Sequence, residues 1–246
     1  MAAINVVVPS RNCAEWIDRA LDSIEQQTRQ PDRVVVIDDA SDQGGYAQHV
    51  ADRCAAHESW YFLPLTERHY NPTTVRMGVQ LLTNHGAAHD DVIIMCDGDD
   101  FLKPHAVEHI AGVYQDSDTW LTYGSYEPVP HNTGQQMATP YPPNVISDRS
   151  YRTNHVCFNH LRTFRKFLFD QLTDEDFTAD TGLPFSGGGD YVVMIPMLEM
   201  AGDRWQFVPD VLYCYNAIRP DSDVAVNMER CVESQQIRSR PQRDRL

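Results

Sequence analysis

The chain of 246 residues is 42% hydrophobic and 22% charged, and it carries a formal net charge of −15. This length allows one large domain or two small ones with a sizeable core, and the composition is typical of a globular protein. The acidic balance argues against general binding to nucleic acid, and without a secretory leader pattern or an apolar run approaching ~20 residues we expect no transmembrane segment.

The first half of the chain alternates between apolar runs and segments with helical spacing. The spacing predicts four helices in this half. The first covers 17–24, the second ends at about His57, the third begins at Asn71-Pro72, and the fourth begins at Pro104. Four apolar, β-branched runs between them predict strands: INVVV (4–8), RVVVIDD (33–39), WYFLP (60–64) and DVIIMC (91–96). Strands that lack polar alternation and are separated by helices predict an α/β protein with a parallel sheet covered on both faces.

The second half predicts less regular structure. We expect a strand at 119–129, a polar loop at 130–150, a helix at 190–202 and one or two strands at 204–216. The last residues, 231–246, contain several arginines and little that can be buried. They are predicted to form a basic, mobile tail.

Polar residues follow three of the four predicted strands: Pro9-Ser10-Arg11, Asp38-Asp39 and Asp97-Gly98-Asp99. The carboxyl ends of parallel strands share one edge of a sheet, where ligands bind, so these residues should converge on one crevice. Asp97, Asp99 and Asp100 repel each other unless positive charge lies among them. A solvated acidic turn and a divalent-metal site both remain open at this point. The chain lacks GxGxxG after the first strand and lacks GxxxxGK(S/T), which disfavours the usual dinucleotide fold and a P-loop.

The six cysteines are scattered and form no CxxC pair. This pattern argues against a zinc site and a disulfide framework, and it predicts a cytoplasmic location.

Five segments occur in an order that resembles a known family: VVVPSRN, VVVIDDASD, MCDGDDFLKP, GGGDYVVMIPMLEMAG and LYCYN. Together they resemble the nucleotide-sugar glycosyltransferases of the GT-A fold, specifically the inverting family 2, from Ile4 to about Asn216. The resemblance implies a Rossmann-like, mostly parallel sheet with helices on both faces. It implies a donor-binding half at 1–115 and an acceptor-binding, catalytic half at 116–230 of the same domain. The implied reaction moves a hexose from a UDP- or GDP-sugar to a hydroxyl of a glycan or other acceptor.

The resemblance assigns Asp97 and Asp99 to Mn²⁺ or Mg²⁺, which in turn holds the donor diphosphate. Hard cations of this kind prefer oxygen ligands. Asp97 is also expected to approach the ribose. His160 is a further candidate metal ligand, because the histidine that the family often has after its late strand is missing from YNAIRPDSD. A hydrogen-bonded core histidine is the alternative.

Nucleotide binding is assigned, by the same resemblance, to residues at the first two strand ends and on one helix. Asp39 would hydrogen-bond the base with Asp38 bracing the loop, and Pro9 and Arg11 would lie along the nucleoside. Arg76 would face base or phosphate. A structural turn is the alternative for Asp39, and an ordinary surface arginine is the alternative for Arg76.

Asp190 is the candidate catalytic base, which would deprotonate the acceptor hydroxyl, and a helix cap is its alternative role. Arg162 could steady the departing diphosphate. The chain departs from the family pattern at Gly189, where an acid is usual, and at Pro72-Thr73-Thr74, where a glycine is usual. Segments 130–150 and 174–189 are expected to set the acceptor. A sugar-phosphate nucleotidyltransferase and a non-catalytic nucleotide-sugar-binding module remain alternatives, although the first usually has a basic, glycine-rich loop after strand one.

Overall fold

The computed structural model of the chain describes residues 2–116, 118–130, 138–219 and 228–246, with side chains of the last range described from 233 onward. Within these ranges eight strands form one sheet: β1 (Ile4–Ser10), β2 (Arg33–Asp38), β3 (Trp60–Pro64), β4 (Val92–Met95), β5 (Phe101–Leu102), β6 (Leu121–Val129), β7 (Arg162–Arg165) and β8 (Trp205–Asn216).

The helices of the described residues alternate with the first strands and then cluster in the second half. They are α1 (Ile17–Glu25), α2 (Tyr46–Ala55), α3 (Tyr70–Asn84), α4 (Ala106–Val113), α5 (Pro143–Asp148), α6 (Lys166–Phe169), α7 (Asp174–Phe177), α8 (Gly189–Ala201) and α9 (Met228–Ser239). None of them combines the length and the apolar character that crossing a bilayer requires.

The sheet has the order β3-β2-β1-β4-β7-β6-β8-β5. Strands β3, β2, β1 and β4 run parallel, which confirms the predicted α/β arrangement. Strand β7 runs antiparallel to β4, with Arg162 opposite Met95. Because β7 begins where β4 ends, it delivers its first residues to the same edge as the carboxyl ends of the parallel strands.

The core lies on both faces of the sheet. Val7, Val35 and Ile93 pack into one cluster with α3 and α8, while Val6 and Val34 pack into the other with α1, α2 and α4. Successive side chains of a strand point to opposite faces, so a sheet covered on both sides needs apolar residues at every position. Full burial of each such side chain stabilises the fold by about 1.5–3 kcal/mol.

The tail predicted to be mobile is packed against the second half of the chain. Ile237 of α9 is buried, the Arg243 amide donates to Glu199 Oε2 at 3.0 Å, and the Leu246 amide donates to the Met200 carbonyl at 3.1 Å. The prediction missed this packing because it counted only apolar side chains. Here the fully buried carboxylate of Glu199 and the Met200 carbonyl accept hydrogen bonds from backbone amides of the tail.

The five cysteines with described side chains are free and buried.

Candidate active site

The three carboxylates of segment 97–100 lie at the carboxyl end of β4, directly against the end of β1. Gly98 donates its amide to the Pro9 carbonyl at 3.0 Å. A Cβ built on Gly98 would lie 2.6 Å from Ser10 Cβ, so only glycine allows this approach. The predicted convergence of these two strand ends is therefore present.

Asp100 is buried and joins the acidic segment to β8. Its Oδ2 accepts from the Tyr213 hydroxyl at 2.6 Å, and its Oδ1 accepts from the Asn216 amide at 2.7 Å. Burial, together with the charges of Asp99 and Asp97, raises the pKa of Asp100 well above its usual range. Asp100 thus fixes the acidic segment against β8.

Asp97 is held by two side chains from other elements. Asn71 Nδ2, in the first turn of α3, donates to its Oδ1 at 3.2 Å, and Arg162 Nη2 donates to its Oδ2 at 3.3 Å. Arg162 also forms an ion pair with Asp190. Its side chain is 1% exposed, so the guanidinium is a buried cation that bridges the acidic segment and the start of α8.

His160 lies beside the same guanidinium, which donates to its Nδ1 at 3.0 Å. Its ring stacks on Tyr213, with ring centroids 4.3 Å apart. Burial, and then the charge of Arg162, lowers the pKa of His160 well below its usual value, so the imidazole is neutral. Neutral imidazole is the form that binds metals.

The ligand atoms of Asp97, Asp100 and His160 all lie within 4.8 Å of one another. Two carboxylates and an imidazole are metal ligands that suit Mn²⁺. They suit Mg²⁺ less well, because Mg²⁺ prefers oxygen ligands. The geometry therefore groups Asp100 with Asp97 and His160, whereas the sequence predicted Asp99 as the third member. Metal binding by Asp99 stays a prediction.

Asp99 has a positive partner that the sequence analysis missed. Arg219 Nη1 lies 3.0 Å from Asp99 Oδ2, and Arg219 Nη2 donates to the Arg11 carbonyl at 2.8 Å. Repulsion among the carboxylates is thus relieved within the chain by two guanidinium groups, those of Arg162 and Arg219. No local signal in AIRPD distinguishes Arg219 from a surface arginine.

The acids at the carboxyl end of β2 brace the neighbouring loops. Asp39 Oδ1 accepts from the His69 amide at 2.6 Å and its Oδ2 accepts from the Tyr70 amide at 2.8 Å, which fixes the start of α3. Asp38 Oδ1 accepts from the Ser41 amide at 3.1 Å. The structural turn considered for Asp39 is present, and recognition of a base by Asp39 stays a prediction.

The two predicted arginines lie in different settings. Arg11 donates to the Asp39 carbonyl at 2.7 Å and so ties the ends of β1 and β2 together. Arg76 forms an ion pair with Asp174 of α7, and its guanidinium lies 5.0 Å from the centre of the Phe177 ring. The structure thus directs Arg76 toward α7, and its contact with a nucleotide stays a prediction.

Asp190 lies in the first turn of α8, where a negative charge is favoured by the helix dipole. Its side chain is 42% exposed. A Cβ built on the preceding Gly189 would lie 2.8 Å from Asn71 Oδ1 and 3.2 Å from the Pro72 ring. The two positions at which the sequence departs from the family pattern therefore pack against each other.

Comparison with known sequences identifies relatives of the chain. The sequence profile described as glycosyl transferase family 2 matches residues 5–173. An uncharacterized glycosyltransferase of Nostoc sp. is 26% identical over 115 residues, which are 47% of this chain and 34% of that protein. The chain therefore spans about a third of the length of this curated relative.

Comparison with solved structures gives the same fold over most of the chain. S. aureus TarS 1–349 in complex with UDP-GlcNAc has a TM-score of 0.63 at 14% identity, covering 93% of this chain and 62% of TarS 1–349. The mannosyltransferase PcManGT from Pyrobaculum calidifontis, in complex with GDP-Man and Mn²⁺, has a TM-score of 0.61 at 20% identity. The match covers 96% of this chain and 62% of PcManGT. Such likeness confirms the predicted GT-A fold.

Proposed function

The chain belongs to glycosyl transferase family 2, and from that premise we propose that it is a glycosyltransferase, specifically a metal-dependent, inverting hexosyltransferase. It takes a UDP- or GDP-sugar as donor and a hydroxyl of a glycan or other molecule as acceptor. The observation that carries the proposal is the bridge by which Arg162 joins Asp97 of the acidic segment to Asp190 of α8. This bridge brings the groups proposed for the donor diphosphate and for the acceptor hydroxyl to one edge of the sheet.

The donor half is proposed to be residues 1–115, with 116–230 as the acceptor half of the same domain. The nucleoside lies against Pro9, Arg11 and Asp39, with Asp38 bracing the loop, and Asp97 approaches the ribose. Arg76 contacts the nucleotide only if its ion pair with Asp174 breaks. Two observations support a nucleotide donor: the strand ends converge, and similar folds hold UDP-GlcNAc and GDP-Man.

The residues present fit a divalent cation, since two carboxylates and a neutral imidazole offer ligand atoms within 4.8 Å. Mn²⁺ or Mg²⁺ is proposed here, held by Asp97, Asp100 and His160, with Asp99 beside them. When bound, such a cation stabilises the negative charge of the leaving diphosphate.

Arg162 contributes positive charge of its own. Among the described residues its buried Nε has no hydrogen-bond partner. A buried donor left unpaired costs about 1–3 kcal/mol, and an oxygen of an anionic ligand would relieve that cost. The same guanidinium forms an ion pair with Asp190 and so fixes the position of its carboxylate.

Asp190 is proposed to accept the proton of the acceptor hydroxyl. The oxygen then forms a bond to the anomeric carbon while the bond from that carbon to the diphosphate breaks, and the electron pair leaves with the diphosphate. One displacement inverts the anomeric configuration once. The remaining carboxylate surface of Asp190 is open to an acceptor, because its side chain is 42% exposed.

Titration of the protein with UDP and with GDP, each with and without Mn²⁺, tests the proposal. We expect one nucleotide to bind preferentially and Mn²⁺ to raise its affinity. We expect the product formed from the corresponding nucleotide sugar to have inverted anomeric configuration, as observed by NMR. Affinity that does not change with Mn²⁺ would remove the metal from the proposal. Membership of the family sets aside the nucleotidyltransferase, and formation of product would set aside the non-catalytic module.

A further inference from the structure

A cavity of about 240 Å³ adjoins Asp190. Its wall is built by residues 138–139 and 155–159, by Asp190 with Tyr191 at the start of α8, and by Arg238 of α9. None of the three carboxylates of segment 97–100 is part of the wall. The cavity therefore reaches the candidate base without including the group proposed for the donor diphosphate.

The wall combines aromatic and polar groups. Phe158 and Tyr191 meet edge to face, with ring centroids 6.0 Å apart. Thr139, His155 and Asn159 add a hydroxyl, an imidazole and an amide. Aromatic rings contact the C–H faces of a sugar, and neutral polar groups exchange hydrogen bonds with its hydroxyls. This mixture is what a saccharide requires.

Arg238 contributes a positive charge that is held in a fixed position. Its Nη1 donates to the carbonyls of Arg152 and Asn154, both at 2.9 Å, and its guanidinium lies 5.3 Å from the centre of the Tyr191 ring. A guanidinium keeps its charge when it donates to neutral carbonyls, so the wall carries one positive group, Arg238, and one carboxylate, Asp190, which offset each other. An uncharged occupant suits such a wall better than an anionic one.

The size of the cavity limits what it can hold. Pockets that bind drug-sized ligands measure about 300–1,000 Å³, and this cavity is smaller, at about 240 Å³. A nucleoside-diphosphate sugar would not fit, whereas a single sugar ring would. The cavity is thus unsuited to the donor.

We propose that this cavity is the acceptor subsite and takes one uncharged sugar ring, such as the terminal residue of an oligosaccharide. The inference rests on the proposed function and adds the acceptor class to it. A ring hydroxyl gives its proton to Asp190, its oxygen bonds to the anomeric carbon of the donor, and the diphosphate leaves with the electrons of the broken bond. Of the segments expected to set the acceptor, residues 138–139 line the cavity, but no described residue of 174–189 does. Residues 155–159 and Arg238 take that place.

Thr139 offers the sharpest test, because it lines the cavity and is itself exposed. Thr139→Trp should fill the space without disturbing the core, and Thr139→Ser is the matched control. Tyr191→Ala removes the aromatic contact, and Tyr191→Phe retains it. The probes are methyl glycosides of glucose, mannose and N-acetylglucosamine, observed by saturation-transfer-difference NMR in the presence of UDP or GDP with Mn²⁺.

We expect at least one glycoside to bind the native protein. Thr139→Trp should abolish that binding, and Tyr191→Ala should weaken it by about tenfold or more, as truncation of a central aromatic contact does. Nucleotide affinity should be unchanged in both variants, and Thr139→Ser and Tyr191→Phe should bind the glycoside like the native protein.

Two outcomes would overturn the subsite: no glycoside bound by a native protein that does bind nucleotide, or full glycoside binding by Thr139→Trp. Neither outcome touches the proposed function, which would instead be lost if the native protein failed to bind nucleotide.

Discussion

Replacing Arg162 with glutamine should tighten the binding of Mn²⁺ while it lowers turnover. Arg162 Nη2 lies 3.3 Å from Asp97 Oδ2 and 3.0 Å from His160 Nδ1, so it competes with a cation for two of the three candidate ligands. Two unit charges ~4 Å apart attract by ~1 kcal/mol in water and by ~4 kcal/mol at an effective dielectric constant of 20. The side chain of Asp97 is 22% exposed, which puts the attraction between these limits.

A gain in Mn²⁺ affinity of at least about fivefold follows, because 1.4 kcal/mol corresponds to a tenfold change in an equilibrium constant. Turnover should fall because Asp190 loses the guanidinium that holds its carboxylate. The electron paramagnetic resonance signal of free Mn²⁺ measures the affinity in the absence of nucleotide. A circular-dichroism melting curve shows whether the variant is folded, and Arg162→Lys, which keeps the charge, should show a smaller gain.

Arg76→Gln is the matched control, because it also removes one positive charge but from an ion pair with Asp174 of α7. It should leave Mn²⁺ affinity unchanged. Equal affinity of the native protein and a folded Arg162→Gln variant would refute the competition. An equal gain in Mn²⁺ affinity in Arg76→Gln would mean that the change in net charge, and not competition for ligands, causes the effect.

Three further substitutions test the other groups. Asp99→Ala should abolish the effect of Mn²⁺ on nucleotide affinity in calorimetry while the fold survives, and an unchanged Mn²⁺ effect would remove Asp99 from the metal site. Asp39→Ala should weaken the preferred nucleotide by about 1–3 kcal/mol, the cost of unpairing a buried polar group; an equal loss for UDP and GDP would make Asp39 a brace for the start of α3. Asp190→Asn should lower turnover by about 10²–10⁴-fold, the usual contribution of a positioned base, with donor affinity little changed. Near-native turnover in that variant, or a native product with retained configuration, would contradict Asp190 as the base of a single displacement.

The first half of the fold was accessible from the sequence because its signals are local. The strand Val6 to Val8 and its neighbours are apolar at every position, which only a sheet covered on both faces explains. Acids directly after two of those strands then had to share an edge. Asp39 and Asp97 were therefore predictable members of that edge before any contact was known.

The partners of those acids were not accessible, because they come from distant elements. Arg162 reaches Asp97 only because β7 runs antiparallel to β4 and begins where β4 ends. Tyr213 reaches Asp100 from β8, across more than a hundred residues of chain. Spacing along a sequence carries no signal for strand direction in the second half of a mixed sheet, so the sequence did not show that Asp100 would lie with Asp97 and His160 in a cluster of possible ligands.

The surroundings of Asp190 show how two departures from a pattern become one arrangement. Gly189 leaves Asp190 without an adjacent acid, and a side chain at that position would collide with Asn71 and the Pro72 ring. Asn71 in turn donates to Asp97, so the close packing of α8 on α3 also fixes a group of the acidic segment. The charge beside Asp190 is then the guanidinium of Arg162 instead of a second carboxylate. That guanidinium holds one part of the carboxylate, and the exposed remainder of the Asp190 side chain is open to an acceptor, so the single carboxylate at this helix start is compatible with catalysis.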